Sequence, residues 1–438
     1  MRKLEKKYAN DLAVIGVHSA KFPNEKDIGN LHNAVRRYQL EHPVINDSES
    51  QVWQQYSCRA WPTLMFIDPL GNVIGKHEGE MTFEAFDGLI SQMVKEFDAQ
   101  GVLDHQPRPS NFQKTGDTSL SFPGKVLADG PEDRLFITDT NHNRIVITSL
   151  SGAVKEVIGS GEQDLAEGGF ADCAFNHPQG IALEGETLYV ADTENHAIRK
   201  VDLASGTVET IAGTGEQGHT REGRHPGRTI ELCSPFDLVH HNGVIYIAMA
   251  GIHQLWFLDL VDGMAGPFAG SGRESLTDGP LATAELAQPC GITTDGVKLF
   301  FADSETSSVR AADIDPTGKV RTIVGLDLFI FGDVDGSDHR VRLQHPIGIT
   351  HYDGVLYITD TYNHKIKRVL PVMRSAFTVL GTGSPGHVDG AAGQAQFSEP
   401  SGISFANGKM YIADTNNHAI RVADIDSGEV STLEISGL

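Results

Sequence analysis

The sequence HPQGIALEGETLYVADTENHAIRK (177–200) is one of six copies of a pattern that runs from Phe122 to the end of the chain. Each copy has a proline as its second residue, and successive prolines lie 55, 57, 54, 57 and 54 residues apart. The six are Pro123, Pro178, Pro235, Pro289, Pro346 and Pro400. A repeat of this regularity predicts an array of similar structural units, built largely by the repeated residues themselves.

Each copy contains four short segments with the pattern of β-strands. In the second copy they are HPQGIALE (177–184), LYVADT (188–193), NHAIRKVD (195–202) and VETIAG (208–213). Alternating apolar positions, β-branched residues and Gly, Asp or Asn at the turns are typical of antiparallel strands. Four such strands form a propeller blade, and six blades closed into a ring protect most strand edges. The sequence therefore predicts a six-bladed β-propeller over residues 119–438.

The signature ADTxNHxIRK is nearly complete at Ala191–Lys200, Thr359–Lys367 and Ala413–Arg421. These motifs resemble NHL repeats over about 320 residues. The recurring acid and imidazole side chains have the chemistry of ligands or catalysts. Because they recur once per blade, a structural role is favoured, in which these side chains tie the second strand to the third by hydrogen bonds. They are Asp139, Asp192, Asp303, Asp360 and Asp414, with His142, His196, His364 and His418.

Two neighbouring blades depart from the pattern. Blade three reads AMAGIHQLW and loses the Asp, while blade four reads ADSETSSVR and loses Asn-His. They lie beside the longest insertions, residues 215–232 and 325–344. We expect any recognition surface of the propeller here, with drift in a scaffold as the alternative. The candidate recognition residues are Met249, His253, Trp256, Phe329 and Phe331.

Residues 1–100 alternate strand and helix patterns. An apolar run predicts a buried parallel strand, and a helix follows from Pro23 to about Leu40 with Asn24 as its cap. The remaining predicted elements are a strand, a short helix, a strand entered through proline, an antiparallel return and a closing helix. In chain order the segments are 12–18, 23–40, 42–47, 48–56, 61–68, 73–77 and 82–98. This order is that of the end of a thioredoxin-like domain.

The segment YSCRAWPTL (56–64) resembles the thioredoxin-family stretch in which a cis-proline precedes a strand. The resemblance implies that Trp61, Pro62 and Thr63 face an extended substrate and that Pro62 is cis. Five motifs support a more specific resemblance, to the NHL repeat-containing protein 2-like family, in which a thioredoxin-like domain precedes an NHL propeller. They are VIGVHSAKFPNEK (14–26), WPTL (61–64), TENHAIRK (193–200), FGDVDG (331–336) and TDTYNHKIK (359–367).

The redox motif of that family is missing. Thioredoxin-family enzymes attack disulfides with a thiolate of a CxxC motif at a helix start, and this chain has four cysteines and no CxxC. The resemblance implies that this motif, and the central strand before its helix, lie upstream of Met1. Three explanations stay open: a fragment or misplaced start, a redox-silent member, or a strand supplied by another polypeptide.

Cys58 is the candidate thiol, because it lies close to the expected site. A single thiol can form mixed disulfides but cannot resolve one intramolecularly. The favoured alternative is that Cys58 is a partly buried residue that packs before the proline turn. We interpret Cys173, Cys233 and Cys290 as packing residues.

The net charge of −23 is concentrated in the repeats, since residues 111–438 hold 23 Lys and Arg against 43 Asp and Glu. This balance argues against nucleic-acid binding. No apolar run is long enough to span a membrane, and from the basic first residues, which lead into no apolar stretch with a cleavage site, we expect no secretory signal. The few, scattered cysteines fit a reducing compartment, so we expect a cytoplasmic monomer.

Together these observations predict three regions: a partial thioredoxin-like α/β domain (1–100), a linker (101–118) and the propeller (119–438). We expect a non-catalytic or redox-degenerate scaffold that binds protein partners, without cofactor or metal site. One alternative is a thiol–disulfide oxidoreductase whose redox cysteines lie upstream of this chain. Another is a propeller hydrolase or lyase with a channel metal, which would need carboxylates or several His converging from different blades.

Overall fold

A computed structural model describes residues 1–79, 81–106 and 118–438. The chain divides into two compact units, Met1–Gly116 and Asp117–Leu438. Most of the predicted linker, residues 107–117, lies outside the described residues. Within the described part, no helix has the length and apolar character needed to cross a membrane.

The first unit contains four helices and two separate two-stranded sheets within its described residues. The elements are α1 (Arg2–Lys7), β1 (Gly16–His18), α2 (Ile28–Arg37), β2 (Val44–Asn46), α3 (Gln51–Gln55), β3 (Thr63–Ile67), β4 (Val73–Glu78) and α4 (Phe83–Ala99). Strands β1 and β2 run parallel, whereas β3 and β4 form an antiparallel hairpin. Leu4 and Tyr8 pack against Phe86 and Ile90, which joins the beginning of the unit to α4.

Several predicted elements of this unit need correction. The parallel strand is confirmed but spans only three residues, and it is not buried, since Val17 is 42% exposed. The predicted helix from Pro23 to Leu40 is divided into a 3-10 turn (Pro23–Lys26) and α2. Asn24 is not the cap of α2: the Asp27 carboxylate accepts the N–H of Asn30 at 3.0 Å, and Asp27 itself is extended. An acceptor at this position satisfies one of the free N–H groups of the first turn.

The second unit is the predicted six-bladed β-propeller. The first three blades contain β5 (Val126–Asp129), β6 (Arg134–Asp139), β7 (Arg144–Thr148), β8 (Val154–Ile158), β9 (Gly168–Gly169), β10 (Pro178–Glu184), β11 (Thr187–Asp192), β12 (Ala197–Asp202), β13 (Thr207–Ala212), β14 (His225–Pro226), β15 (Pro235–His241), β16 (Val244–Met249), β17 (Gln254–Asp259) and β18 (Met264–Ala269).

The last three blades contain β19 (Gly279–Pro280), β20 (Pro289–Thr294), β21 (Lys298–Asp303), β22 (Ser308–Asp313), β23 (Lys319–Val324), β24 (Gly336–Ser337), β25 (Ile349–Tyr352), β26 (Val355–Asp360), β27 (Lys365–Leu370), β28 (Ser375–Leu380), β29 (Pro400–Ala406), β30 (Lys409–Asp414), β31 (Ala419–Asp424) and β32 (Val430–Thr432).

Every blade is an antiparallel sheet of four successive strands. In blades two to five the preceding loop adds a two-residue strand to the outer edge, as β9 does by pairing with β13. The first strand of each blade is innermost, and these inner strands are neighbours around the axis. The apolar core lies between blades, as in the cluster that joins Tyr189 and Ile198 of blade two to Ile247 and Trp256 of blade three.

Candidate functional site

The recurring aspartates are structural, as predicted. In blade two, Asp192 accepts the backbone N–H of Asn176 at 2.7 Å, the Asn195 amide at 2.8 Å and Arg199 Nη1 at 2.9 Å. Asp192 and Arg199 are both fully buried, and the pair ties β11 to β12. Burial raises the pKa of Asp192 to about 6, although Arg199 opposes the rise. The same pair recurs as Asp303–Arg310 and Asp414–Arg421, both at 2.8 Å.

The recurring histidines are structural too, but their partner is not the one predicted. His196 Nδ1 accepts the N–H of Ser234 in the next blade at 3.0 Å, instead of joining strands of its own blade. The reason is a left-handed backbone, with φ of 48° at His196. Equivalent bonds at 3.0–3.1 Å link the other blades: Asn143 to His177, His253 to Gln288, Ser307 to His345, His364 to Glu399 and His418 to Phe122. His142, one position earlier, contacts Asp139 at 2.8 Å within its own blade.

Three of the five predicted recognition residues belong to the scaffold. Met249 and Trp256 are fully buried and occupy the repeat positions of Asp192 and Arg199, so an apolar pair replaces the ion pair in blade three. Trp256 donates its indole N–H to Gln254 Oε1 at 3.0 Å. His253 makes the blade-to-blade bond described above. Their departure from the repeat signature therefore reflects repacking of the interior.

The insertion after blade four is different. Phe329 is 64% exposed, whereas Phe331 is partly buried. These two predicted residues thus remain candidates for surface contacts.

The propeller axis holds an ion pair that the sequence analysis missed. At the third position of the Pro-x-Gly segment, four blades carry glycine, but blade one carries Lys125 and blade three carries Asp237. Lys125 Nζ lies 2.5 Å from Asp237 Oδ2, and the side chains are 13% and 5% exposed. Burial raises the pKa of Asp237, and the Lys125 ammonium opposes that rise. The signal was present in the sequence: two opposite charges replace glycine at one repeat position.

Little space remains beside this pair. The axial cavity has a volume of about 10 Å³ and is lined by inner-strand residues that include Gln179, Cys290 and Ser401. A cavity of this size holds about one water molecule. Burial raises the pKa of the Cys290 thiol to about 12, so this thiol stays protonated near neutral pH. Within the described residues, no three His, Cys, Asp or Glu side chains are placed to hold a metal ion.

In the first unit, the predicted substrate-facing residues lie at the surface. The indole of Trp61 is half exposed, Pro62 is exposed and Thr63 is partly buried. The Trp61–Pro62 peptide bond is cis, in agreement with the resemblance to thioredoxin-like domains. Cys58 is partly exposed, whereas the other three cysteines are buried, and all four are free thiols.

Trp61 is held in place by a series of contacts that begins at a buried carboxylate. Asp47 accepts the N–H groups of Val52 at 3.0 Å and Trp53 at 2.9 Å, and the hydroxyl of Ser19 at 2.7 Å. Burial alone would raise the pKa of Asp47, but these hydrogen bonds lower it below its ordinary value. The ring of Trp53 then stacks on that of Trp61 with centroids 4.4 Å apart.

A second bond fixes Trp61 from the other side, because its indole Nε1 donates to the backbone oxygen of Ser19 at 2.8 Å. The end of β1 is thereby tied to the residues that precede β3. The exposed residues Tyr56, Trp61 and Pro62, with Cys58 and the supporting Trp53, form what we call the Trp61 surface. A rigid, half-exposed indole is suited to protein contacts, because it offers a large contact area at little cost in conformational entropy.

Comparisons with known proteins give consistent results. An NHL repeat model matches residues 175–201. The chain is 43% identical over 460 residues to Protein SUPPRESSOR OF QUENCHING 1, chloroplastic, of Arabidopsis thaliana, covering 99% of this chain and 44% of that protein. It is 40% identical over 474 residues to NHL repeat-containing protein 2 of Gallus gallus, covering 99% and 65%.

The chain therefore spans about half to two thirds of the length of these relatives. Among solved structures, a chain of a nidogen–laminin complex aligns with 15% identity and a TM-score of 0.47, covering 69% of this chain and 92% of that one. A likeness this weak bears on neither fold nor function.

Proposed function

Since this chain belongs to the NHL repeat-containing protein 2 family, we propose that it is a two-module scaffold that binds a protein partner without catalysing thiol–disulfide exchange. The first unit is a thioredoxin-like module, and its binding site is the Trp61 surface. Support for the module comes from its parallel strand pair, its antiparallel hairpin and the helix that closes it.

The observation that carries the proposal is the half-exposed indole of Trp61, fixed by the Trp53 ring and the Ser19 oxygen. Aromatic residues held in one conformation at a surface are over-represented among residues that dominate binding energy. Apolar side chains at β1 and just before it are also exposed, namely Val17 and Ile15.

Free strand edges define the chemistry of the partner. Among the described residues, β1 pairs with β2 alone and β3 pairs with β4 alone, so each has one edge without a neighbour. An exposed edge presents N–H and C=O groups that an extended peptide can satisfy as an added strand. The expected ligand is therefore an extended segment with apolar side chains at alternate positions, lying along β3 beside Trp61.

Thiol–disulfide chemistry is the second candidate function. Cys58 is partly exposed, whereas the other three cysteines are buried, and it belongs to the Trp61 surface. A lone thiol can be captured in a mixed disulfide, but its release needs a second thiol from elsewhere. The sequence contains no CxxC pair to supply it. Redox cysteines in a longer form of the protein would change this, and the assay below separates the two functions.

The test is a titration of the full chain with ten-residue peptides of alternating apolar and polar residues, and with versions interrupted by proline. Binding is followed by the fluorescence anisotropy of a dye label on the peptide, which can be read equally in a variant that lacks Trp61. Trp61→Ala should weaken binding at least tenfold because it removes the indole contact with the peptide. The proline peptides should weaken it at least tenfold because proline lacks the backbone N–H that an added strand donates. Val372→Ala, at an exposed propeller turn, should bind as the wild type.

Equal binding by Trp61→Ala, or by the proline peptides, would contradict the proposed site. Rapid reduction of insulin disulfides by this chain, lost in Cys58→Ser, would instead favour the redox function.

A further inference from the structure

The six inner strands bring one repeat position from every blade to the propeller axis. Glycine is required at most of these positions because the neighbouring backbone is very close. A Cβ on Gly348 would lie 1.7 Å from the Ser401 oxygen, and one on Gly291 would lie 2.2 Å from the Ile347 oxygen. These contacts place main-chain carbonyl oxygens, each with partial negative charge, between adjacent inner strands.

Two blades break this rule, and they do so with opposite charges. Lys125 in blade one and Asp237 in blade three are 112 residues apart in sequence, yet their charged atoms lie 2.5 Å apart. Asp237 Oδ2 also accepts the N–H of Ile292 at 3.1 Å. A lysine and a carboxylate from non-adjacent blades therefore meet at the centre of the ring.

One carboxylate oxygen at the axis has no donor among the described residues. Asp237 is 4% exposed, and its Oδ1 atom is buried without a hydrogen-bond partner in the described structure. The two carboxylate oxygens of Asp237 therefore favour a cation that carries N–H donors. An isolated carboxylate in such a place would be costly, because burying an uncompensated charge is strongly destabilising.

The geometry points to a cation site on the propeller axis that the chain fills with its own cation, the ammonium group of Lys125. The site takes a small primary ammonium. With Lys125 in place the remaining space accommodates about one water, and Asp237 is among the residues that line it. This inference goes beyond the proposed protein-binding function, since it concerns the propeller axis and not the first unit.

The inference has a functional consequence. With this ammonium in place, the space that remains at the axis, enough for about one water, is too small for an organic substrate. The exposed insertion that carries Phe329 is then a better candidate for recognition by this propeller than its axis.

Chemical rescue tests the site in the full chain. Lys125→Ala removes the atoms of a propylammonium ion, so we expect the melting temperature of the propeller to fall by roughly 5 to 10 °C. Added propylammonium chloride at pH 8 should restore at least half of this loss and should saturate. Tetramethylammonium chloride, which has the charge but no N–H donor, should restore little.

Two further variants separate a specific site from a general loss of stability. Asp237→Ala should also melt lower, but propylammonium should not rescue it because the carboxylate is gone. The double variant K125G/D237G restores the residue found in the other four blades, and it should melt above either single alanine variant.

Three outcomes would overturn the inference. The first is an unchanged melting temperature in Lys125→Ala. The second is an equal effect of propylammonium on Lys125→Ala and Asp237→Ala. The third is a double alanine variant, K125A/D237A, that loses the sum of the two single losses, since independent residues would add.

Discussion

The Nδ1 atom of His418 accepts a 3.1 Å hydrogen bond from the backbone N–H of Phe122, and the two rings pack edge to face with centroids 4.3 Å apart. His418 belongs to the last blade and Phe122 to the segment that enters the first. The contact that elsewhere links successive blades thus also closes the ring between residues 296 positions apart.

His418→Ala should therefore destabilise the propeller. The buried N–H of Phe122 would lose its acceptor, at a cost of about 1–3 kcal/mol. Urea unfolding followed by tryptophan fluorescence measures this, because Trp256 is buried between blades. The matched control is His339→Ala, at an exposed histidine on the insertion after blade four. Equal unfolding midpoints for the two variants would show that the ring closes without this bond.

Blade three should accept the Asp–Arg ion pair of the other blades only when Met249 and Trp256 are both replaced. Met249→Asp would bury a carboxylate beside Trp256, and breaking a buried pair in this way costs about 3–5 kcal/mol. Adding Trp256→Arg restores the Asp–Arg pattern of blades two, four and six, so the double variant should be more stable than Met249→Asp alone. A double-mutant cycle from urea unfolding measures the coupling. A coupling energy near zero would contradict the equivalence of these positions.

The Trp61 surface should lose its order in acid. The pKa of Asp47 is lowered in the folded protein, so its contribution to stability is present above the ordinary value of 3.8 and lost as pH falls through the folded value. The near-ultraviolet circular dichroism of the Trp53–Trp61 stack should therefore fade below about pH 4. Asp47→Asn should show a weaker signal already at pH 7 and little further change in acid. An identical acid profile in the two proteins would exclude this role.

One thiol of the four should react in the native protein. Cys58 is partly exposed, whereas Cys173, Cys233 and Cys290 are buried, and the raised pKa of Cys290 further suppresses its thiolate. Brief treatment with a maleimide, followed by peptide mass spectrometry, should label Cys58 first. The remaining three should be labelled only in denaturant. Early labelling of Cys290 would mean that the propeller axis opens in solution.

The interpretation of blade three shows where pattern reasoning fails. Met249 replaces the Asp of the repeat, but a departure from a structural signature has two causes that look alike in sequence. One is a surface residue selected for binding, and the other is a compensated change inside the core. The compensating residue, Trp256, lies in a different strand, and its contact with the Met249 position depends on strand register and burial.

Sequence by itself determined the number of blades, the order of strands within each and the structural role of the recurring aspartates. These properties are local: alternation sets which side chains share a face, and a period near 55 residues counts the units. Tertiary structure decided which blade each His contacts, the burial of Met249 and Trp256, and the meeting of Lys125 with Asp237. Ring closure brings these groups together, because each blade packs on the next and the inner strands converge on one axis. A repeated sequence shows the features that its copies have in common, whereas the contacts between copies form only when the ring closes.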